Sequence, residues 1–461
     1  MSEAPADGLL AVDGALDELP PEDLRLLLDR ELPDAGELED GVRAIVREVR
    51  TEGDTVLFRM ARELDDVELD ALEVPRARWA QALKGLDPLL RKALERAARN
   101  LEGFHRAQIP PPVRFTSEPG VRVGRRSVPL EAVGVYAPGG RAVYPSSVLM
   151  GVVPARTAGV EEIVVASPPG PSGEPPPEVL AACEVAGATR LFALGGAGAV
   201  AALAYGTESV PRVRAVVGPG NRWVTEAKRQ VAGEVRVDSP AGPSEVLVVA
   251  GPQADPLLVA AELVAQAEHD PDAAVVAVTW DGELAGSIRD ALVEEVRQAP
   301  RRETVESALR GRGALLLAPD RWAALEFARG YAPEHLALYT SEPRADLEAV
   351  PTSGTAFLGE PSSVAFGDYL TGANHVLPTA GGAHSFSGLS VLDFLRFYTW
   401  QELDPSGAAA LREDTIRLAR AEGLFAHARA AELRDPRRSG DGSGESSPRP
   451  TERDDTMEDE A

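Results

Sequence analysis

Val133-Gly-Val-Tyr136, Ile163-Val-Val-Ala166 and Leu191-Phe-Ala-Leu194 are short β-prone runs, and helix-like stretches over 146–158 and 177–186 separate them. The same rhythm continues with runs at 213–217 and 235–237 and helical stretches at 200–205 and 221–231. Strand and helix in alternation predict βαβ units and a largely parallel sheet. From Val246 the alternation restarts, with strands expected at 246–249, 274–279, 314–317, 336–339 and 355–358. Two such blocks predict an α/β fold of two Rossmann-like doubly wound domains facing each other. Ligands of these sheets bind beyond the carboxyl ends of the strands, so the loops there are the places to search.

Outside the two blocks the pattern is helical. Residues 22–30 read as a helix, 42–64 as helical spacing broken at Gly53, and 78–107 as a helix interrupted near Pro88. Residues 389–435 return to helix, so the fold is expected to carry helical N- and C-terminal extensions. The Pro-rich stretch 167–177 reads as a loop inside a domain. The expected division is an N-terminal extension over 1–30 and a discontinuous first α/β domain over 31–127 and 239–388. A second α/β domain covers 128–238, and a C-terminal helical segment covers 389–435. Residues 436–461 are rich in Ser, Gly, Pro and acids with little to bury, which predicts a disordered acidic tail.

Composition narrows the function classes. The chain has 461 residues, enough for two or three full cores, and its net charge of −26 repels nucleic-acid phosphates and anionic membranes. No apolar run approaches the roughly 18 residues that cross a membrane. The single cysteine, Cys183, excludes an internal disulfide and suits a reducing cytoplasm. It lies among alanines with no histidine nearby in sequence, as a small core residue would. A small molecule is the expected ligand.

Four of the six histidines stand near an acid or amide: Gln266/His269, Glu334/His335, Asp368/His375 and Glu422/His427. Gln266 and His269 are three apart at the end of a predicted helix, so they project from one face. Glu334 and His335 follow Pro333 at the entrance to a strand, where a bend could turn both into one cavity. Asp368 and His375 bracket a stretch in which Gly367 and Gly372 could supply left-handed backbone for a folded loop. Gly423 suggests a helix end just after Glu422, with a turn leading to His427. Any one pair reads equally as a solvated helix end or polar loop. Four together, all in the second half, point to a metal or general acid/base site, both of which need converging N and O donors. Glycine turns follow several strands, at Pro138-Gly-Gly140, Gly196-Ala-Gly198, Gly218-Pro-Gly-Asn221 and Ala241-Gly-Pro-Ser-Glu245. Their N–H groups can bind an anion or merely close tight turns.

Longer motifs make the chain resemble histidinol dehydrogenase, a zinc- and NAD-dependent family. They are Gly134-Val-Tyr-Ala-Pro-Gly-Gly140, Gly218-Pro-Gly-Asn221, Pro240-Ala-Gly-Pro-Ser-Glu-Val246, Gln266-Ala-Glu-His269 and Ala332-Pro-Glu-His335. Asn374-His-Val-Leu-Pro378 and Glu422-Gly-Leu-Phe-Ala-His427 complete the set. The resemblance covers about residues 40–434 and implies one Zn2+ per subunit on Gln266, His269, Asp368 and His427. It implies a homodimer in which the partner subunit supplies the ligand equivalent to His427, which would make 389–435 a dimerisation segment. The implied catalytic pair is Glu334 and His335. Substrate contacts fall on Ser244, His375 and Glu422 beside the metal ligands and His335, and NAD contacts fall on Tyr136 and Asn221, in the 128–238 domain. The implied reaction is oxidation of L-histidinol to L-histidine through L-histidinaldehyde with reduction of two NAD, the last step of histidine biosynthesis. Gly198 departs from the family, which usually has Gln there in contact with NAD. Two rivals are a relative oxidising another primary alcohol, which would be expected to change Glu422 or His375, and a silent binding protein, which would not need Glu334-His335.

Overall fold

The structure is a computed structural model that describes residues 8–30, 35–139, 143–239 and 242–434. The expected acidic tail lies outside the described residues. Two parallel sheets carry the first compact unit, which takes in residues up to 109 and 128–396. The larger has six strands in the order Val12–Ala15, Gly313–Leu317, Ala274–Thr279, Glu245–Ala250, His335–Tyr339, Thr355–Leu358. The smaller has five, in the order Arg190–Ala193, Glu162–Ser167, Ala132–Tyr136, Ala215–Val217, Arg236–Val237. Helices cover both faces of each sheet, so the central strands are mostly apolar; Glu245–Ala250, Ala274–Thr279 and His335–Tyr339 are buried at every position.

The α/β class is as expected, and the strands of both blocks fall where the alternation put them. The helices before them do not belong where they were expected. Ala35–Glu52, Asp54–Leu64, Arg76–Gly85 and Pro88–Ala107 pack on the five-stranded sheet, not on the six-stranded one. Trp79, Leu94 and Leu101 join Val133, Val135 and Ile163 on one face. Val42, Val49, Val56 and Leu57 join Tyr136, Val164 and Phe192 on the other. The N-terminal residues are likewise more than a helical extension. Val12–Ala15 pairs in parallel with Gly313–Leu317, and Leu27 of helix Pro21–Leu28 is buried in the core of the six-stranded sheet.

The second compact unit comprises 110–127 and the chain from Phe397. Its sheet has the order Leu395–Leu403, Val121–Pro129, Val113–Glu118, the last two antiparallel. Helices Pro405–Ala421 and Phe425–Glu432 follow. Leu395–Leu403 lies inside the stretch expected to be helical. Its run Phe397-Tyr-Thr-Trp400 is aromatic and β-branched, which favours extended backbone over helix. Among the described residues no helix is long and apolar enough to cross a membrane.

Candidate active site

Chemistry gathers at the amino ends of the six-stranded sheet, not beyond the carboxyl ends where it was expected. Glu245 begins the strand Glu245–Ala250, and His335 begins the adjacent parallel strand in register with Val246. The approach to His335 is sharply bent. Helix Arg321–Tyr331 ends at Ala332, a non-glycine residue at φ +49°, and Pro333 follows. That bend carries Glu334 and His335 into the interior, where they are 5% and 4% exposed.

The backbone of Glu245 holds both side chains. Its N–H donates to Glu334 Oε2 at 2.7 Å, and its carbonyl accepts from His335 Nδ1 at 2.9 Å. A carbonyl can only accept, so Nδ1 carries a proton and Nε2 is the reactive face of the ring. Nε2 lies 3.6 Å from Asp368 Oδ1, while Nδ1 lies 3.4 Å from Glu334 Oε2. Burial pushes the His335 pKa down, but Glu334 and Asp368 outweigh it and hold the imidazole well above its usual range. Burial alone would raise Asp368; the bond to His335 and the nearby His375 and His269 instead hold it low.

Asp368 sits on a short helix, Val364–Tyr369, where the sequence suggested a folded loop. Gly367 is therefore needed for closeness and not for left-handed backbone: a Cβ there would stand 2.5 Å from the Phe357 ring. Gly372 does take left-handed backbone, at φ +98°. His375 donates from Nδ1 to the Asp368 carbonyl at 2.9 Å, and burial lowers its pKa. Next to it, Asn374 anchors the segment by donating to the Met150 carbonyl at 2.8 Å. A narrow cleft is lined by His335, Phe357, Asp368, Asn374, His375 and Leu377.

Gln266 is buried in the last turn of helix Pro256–Ala267 as expected, whereas half-buried His269 lies beyond the C-cap Glu268, outside the helix that was expected to carry both. Ser244 is half-buried, and its carbonyl accepts from Ala274 N–H at 3.0 Å. The structure thus brings Glu334, His335, Asp368 and His375 together, with His269 in electrostatic reach of Asp368. Glu422 and His427 belong to the second unit. Glu422 caps helix Pro405–Ala421, Gly423 turns the chain at φ +73°, and both residues are exposed. No cluster of three or more His, Cys, Asp or Glu among the described residues is arranged to hold a metal ion. The amide of Gln266, the imidazole of His269 and the carboxylate of Asp368 are nevertheless suitable donors for zinc. They are one short of four.

At the carboxyl ends of the five-stranded sheet the chain order reverses between Ala132–Tyr136 and Ala215–Val217. The two strands' exits touch: Gly218, at φ +115°, would place a Cβ 2.2 Å from the Tyr136 carbonyl oxygen. Tyr136 is buried, its hydroxyl accepts from Gly196 N–H at 3.1 Å, and burial pushes its pKa up to about 12. Asn221 is exposed and caps helix Arg222–Val231, accepting from Trp223 and Val224 N–H. Beneath the turn, the buried pair Lys228 and Asp238 pins Gly218, Asp238 accepting its N–H at 2.7 Å and Lys228 donating to its carbonyl at 3.1 Å. Gly198 lies in helix Gly196–Tyr205, where a Cβ would stand 2.9 Å from Met60 Sδ. Cys183 is buried in helix Pro177–Ala186, as its sequence context implied.

The motifs leave Glu245 without a role, and no local pattern singles out Arg30. A signal existed for Glu245, because an acid opening a wholly apolar strand requires a buried partner.

Known proteins resemble most of the chain. The family model described as histidinol dehydrogenase matches residues 28–435. A histidinol dehydrogenase of Natronomonas pharaonis is 49% identical over 423 residues, 91% of this chain and 99% of that one. One from Nitrosomonas europaea is 41% identical over 415 residues, covering 89% and 96%. The crystal structure of histidinol dehydrogenase from Elizabethkingia anophelis superposes with a TM-score of 0.89 at 31% identity, covering 94% of this chain and 99% of that chain.

Proposed function

Since the chain belongs to the histidinol dehydrogenase family, we propose that it oxidises L-histidinol to L-histidine through L-histidinaldehyde, reducing two NAD. The observation that carries the reading is the two-point grip of Glu245, which sets a carboxylate and an imidazole side by side in the interior facing Asp368. Gln266, His269 and Asp368, with His427 of the partner subunit, would hold a zinc ion. Bound there, zinc would supply a positive charge that anchors the substrate's imidazole and amine and offsets the Asp368 carboxylate facing His335. Ser244, His375 and Glu422 are assigned to the substrate. Tyr136 and Asn221, beside the Gly218 turn at the carboxyl ends of the five-stranded sheet, are assigned to NAD, which accepts the hydrides.

Each residue then has a proton to manage. His335 accepts the hydroxyl proton through Nε2 as the carbinol hydride leaves, giving the aldehyde. Glu334 takes a proton from the water that adds to the aldehyde carbon, His335 returns its proton to the carbonyl oxygen to give the hydrate, and loss of a second hydride to NAD gives the acid. His335 again accepts the hydroxyl proton. Burial of both groups favours retention of the reactive amino-aldehyde between steps. Purified protein given L-histidinol and NAD in ¹⁸O-labelled water should form L-histidine with label in its carboxylate. Release of free aldehyde without acid would contradict the assignment of Glu334.

A further inference from the structure

We infer that Arg30 is a positioning residue for Glu334, acting as a clamp through Glu245 and the Tyr331 carbonyl; the inference rests on the reading of Glu334 as the base for aldehyde oxidation. Arg30 lies two residues beyond the end of helix Pro21–Leu28 and is 4% exposed. Its guanidinium forms an ion pair with Glu245 at 3.0 Å, donates to the Tyr331 carbonyl at 2.7 Å and to the Leu27 carbonyl at 3.4 Å, and lies 3.7 Å from the centroid of the Tyr331 ring. Its own carbonyl accepts from Arg312 at 3.0 Å.

These contacts bracket Glu334 from two sides. Tyr331 stands three residues before it, at the bend that turns the chain inward. Glu245 lies across the strand pair and gives Glu334 its backbone hydrogen bond. The same Glu245 oxygen, Oε1, also accepts from Ala380 N–H at 2.7 Å, so the guanidinium and a backbone amide converge on one end of the carboxylate. Without the guanidinium, a buried acid would stand beside Glu334 with no counter-charge; burial already pushes Glu245 up to about 7 despite Arg30. A planar fork suits this task, since one group must satisfy a carboxylate and two carbonyls at once.

Arg30→Met alone would strand a buried carboxylate and can fail for reasons of folding. Arg30→Met/Glu245→Gln removes the clamp and both charges together. That double variant, Glu334→Gln, and the triple combination are compared with the unaltered protein in single-turnover oxidation of L-histidinaldehyde, below each melting temperature. The double variant should slow the step at least tenfold with KM for NAD within twofold. The triple variant should be within threefold of Glu334→Gln, because a clamp has nothing to position once the base is gone. A double variant within twofold of the unaltered rate overturns the role of Arg30 and leaves the base intact. A triple variant slowed by the full product of the two effects shows Arg30 acting elsewhere and also overturns it. Glu334→Gln at the unaltered rate refutes the base, and with it the clamp.

Discussion

Glu334 and His335 are neighbours in sequence yet carry different tasks, and their partners say why. His335 is fixed as the Nδ1–H tautomer by the Glu245 carbonyl, leaving Nε2 toward Asp368. Glu334 accepts a single backbone N–H through Oε2. A carboxamide at 334 keeps size and an acceptor but cannot take a proton from water near neutral pH. Glu334→Gln should therefore slow aldehyde oxidation by roughly 10²- to 10⁴-fold and alcohol oxidation far less. His335→Asn should slow both, since each step needs a proton acceptor as hydride leaves. Single-turnover NADH formation from histidinol and from histidinaldehyde separates the two; equal slowing of both steps by Glu334→Gln would end the division of labour. The histidines beside acids could be picked out from sequence, and so could the helix-end placement of Gln266 and His269. Arg30 could not, because its partners Glu245, Arg312 and Tyr331 are 215 or more residues away along the chain, Leu27 excepted.

At the scale of elements, apolar runs bounded by glycine and proline revealed the ten strands of the two blocks, because strands buried on both faces read as continuous hydrophobic stretches. Val113–Glu118 and Leu395–Leu403 escaped because they are largely exposed and have no such signature. The position of the site was also hidden. The rule for open sheets points to carboxyl ends, which suits Tyr136 and Gly218, whereas Glu245, Glu334 and His335 stand at amino ends. That distinction depends on strand order, which no local pattern encodes. Gly218 offers a test of the first edge. Its left-handed backbone and its closeness to the Tyr136 carbonyl leave no room for a methyl group. Gly218→Ala should cost on the order of 1–3 kcal/mol, seen as a lower melting temperature. It should also raise KM for NAD several-fold while kcat at saturating NAD stays within twofold. An unchanged KM would remove this turn from the cofactor site.

For the whole molecule, the proposed zinc ligands divide between helix ends of the first unit and an exposed helix of the second. A site shared between two copies follows from the resemblance, and complementation tests it. Mixed Glu334→Gln and His427→Ala chains, each deficient alone in forming L-histidine, should regain part of that activity once subunits exchange. No recovery after full exchange would confine the site to one chain. The account as a whole holds that one protein carries an alcohol through to an acid without releasing the aldehyde. Counting NADH against L-histidinol consumed by the purified protein tests this most directly. Two NADH per histidinol, with histidine as product, is the result the account predicts; one NADH per histidinol, with aldehyde accumulating, would contradict it.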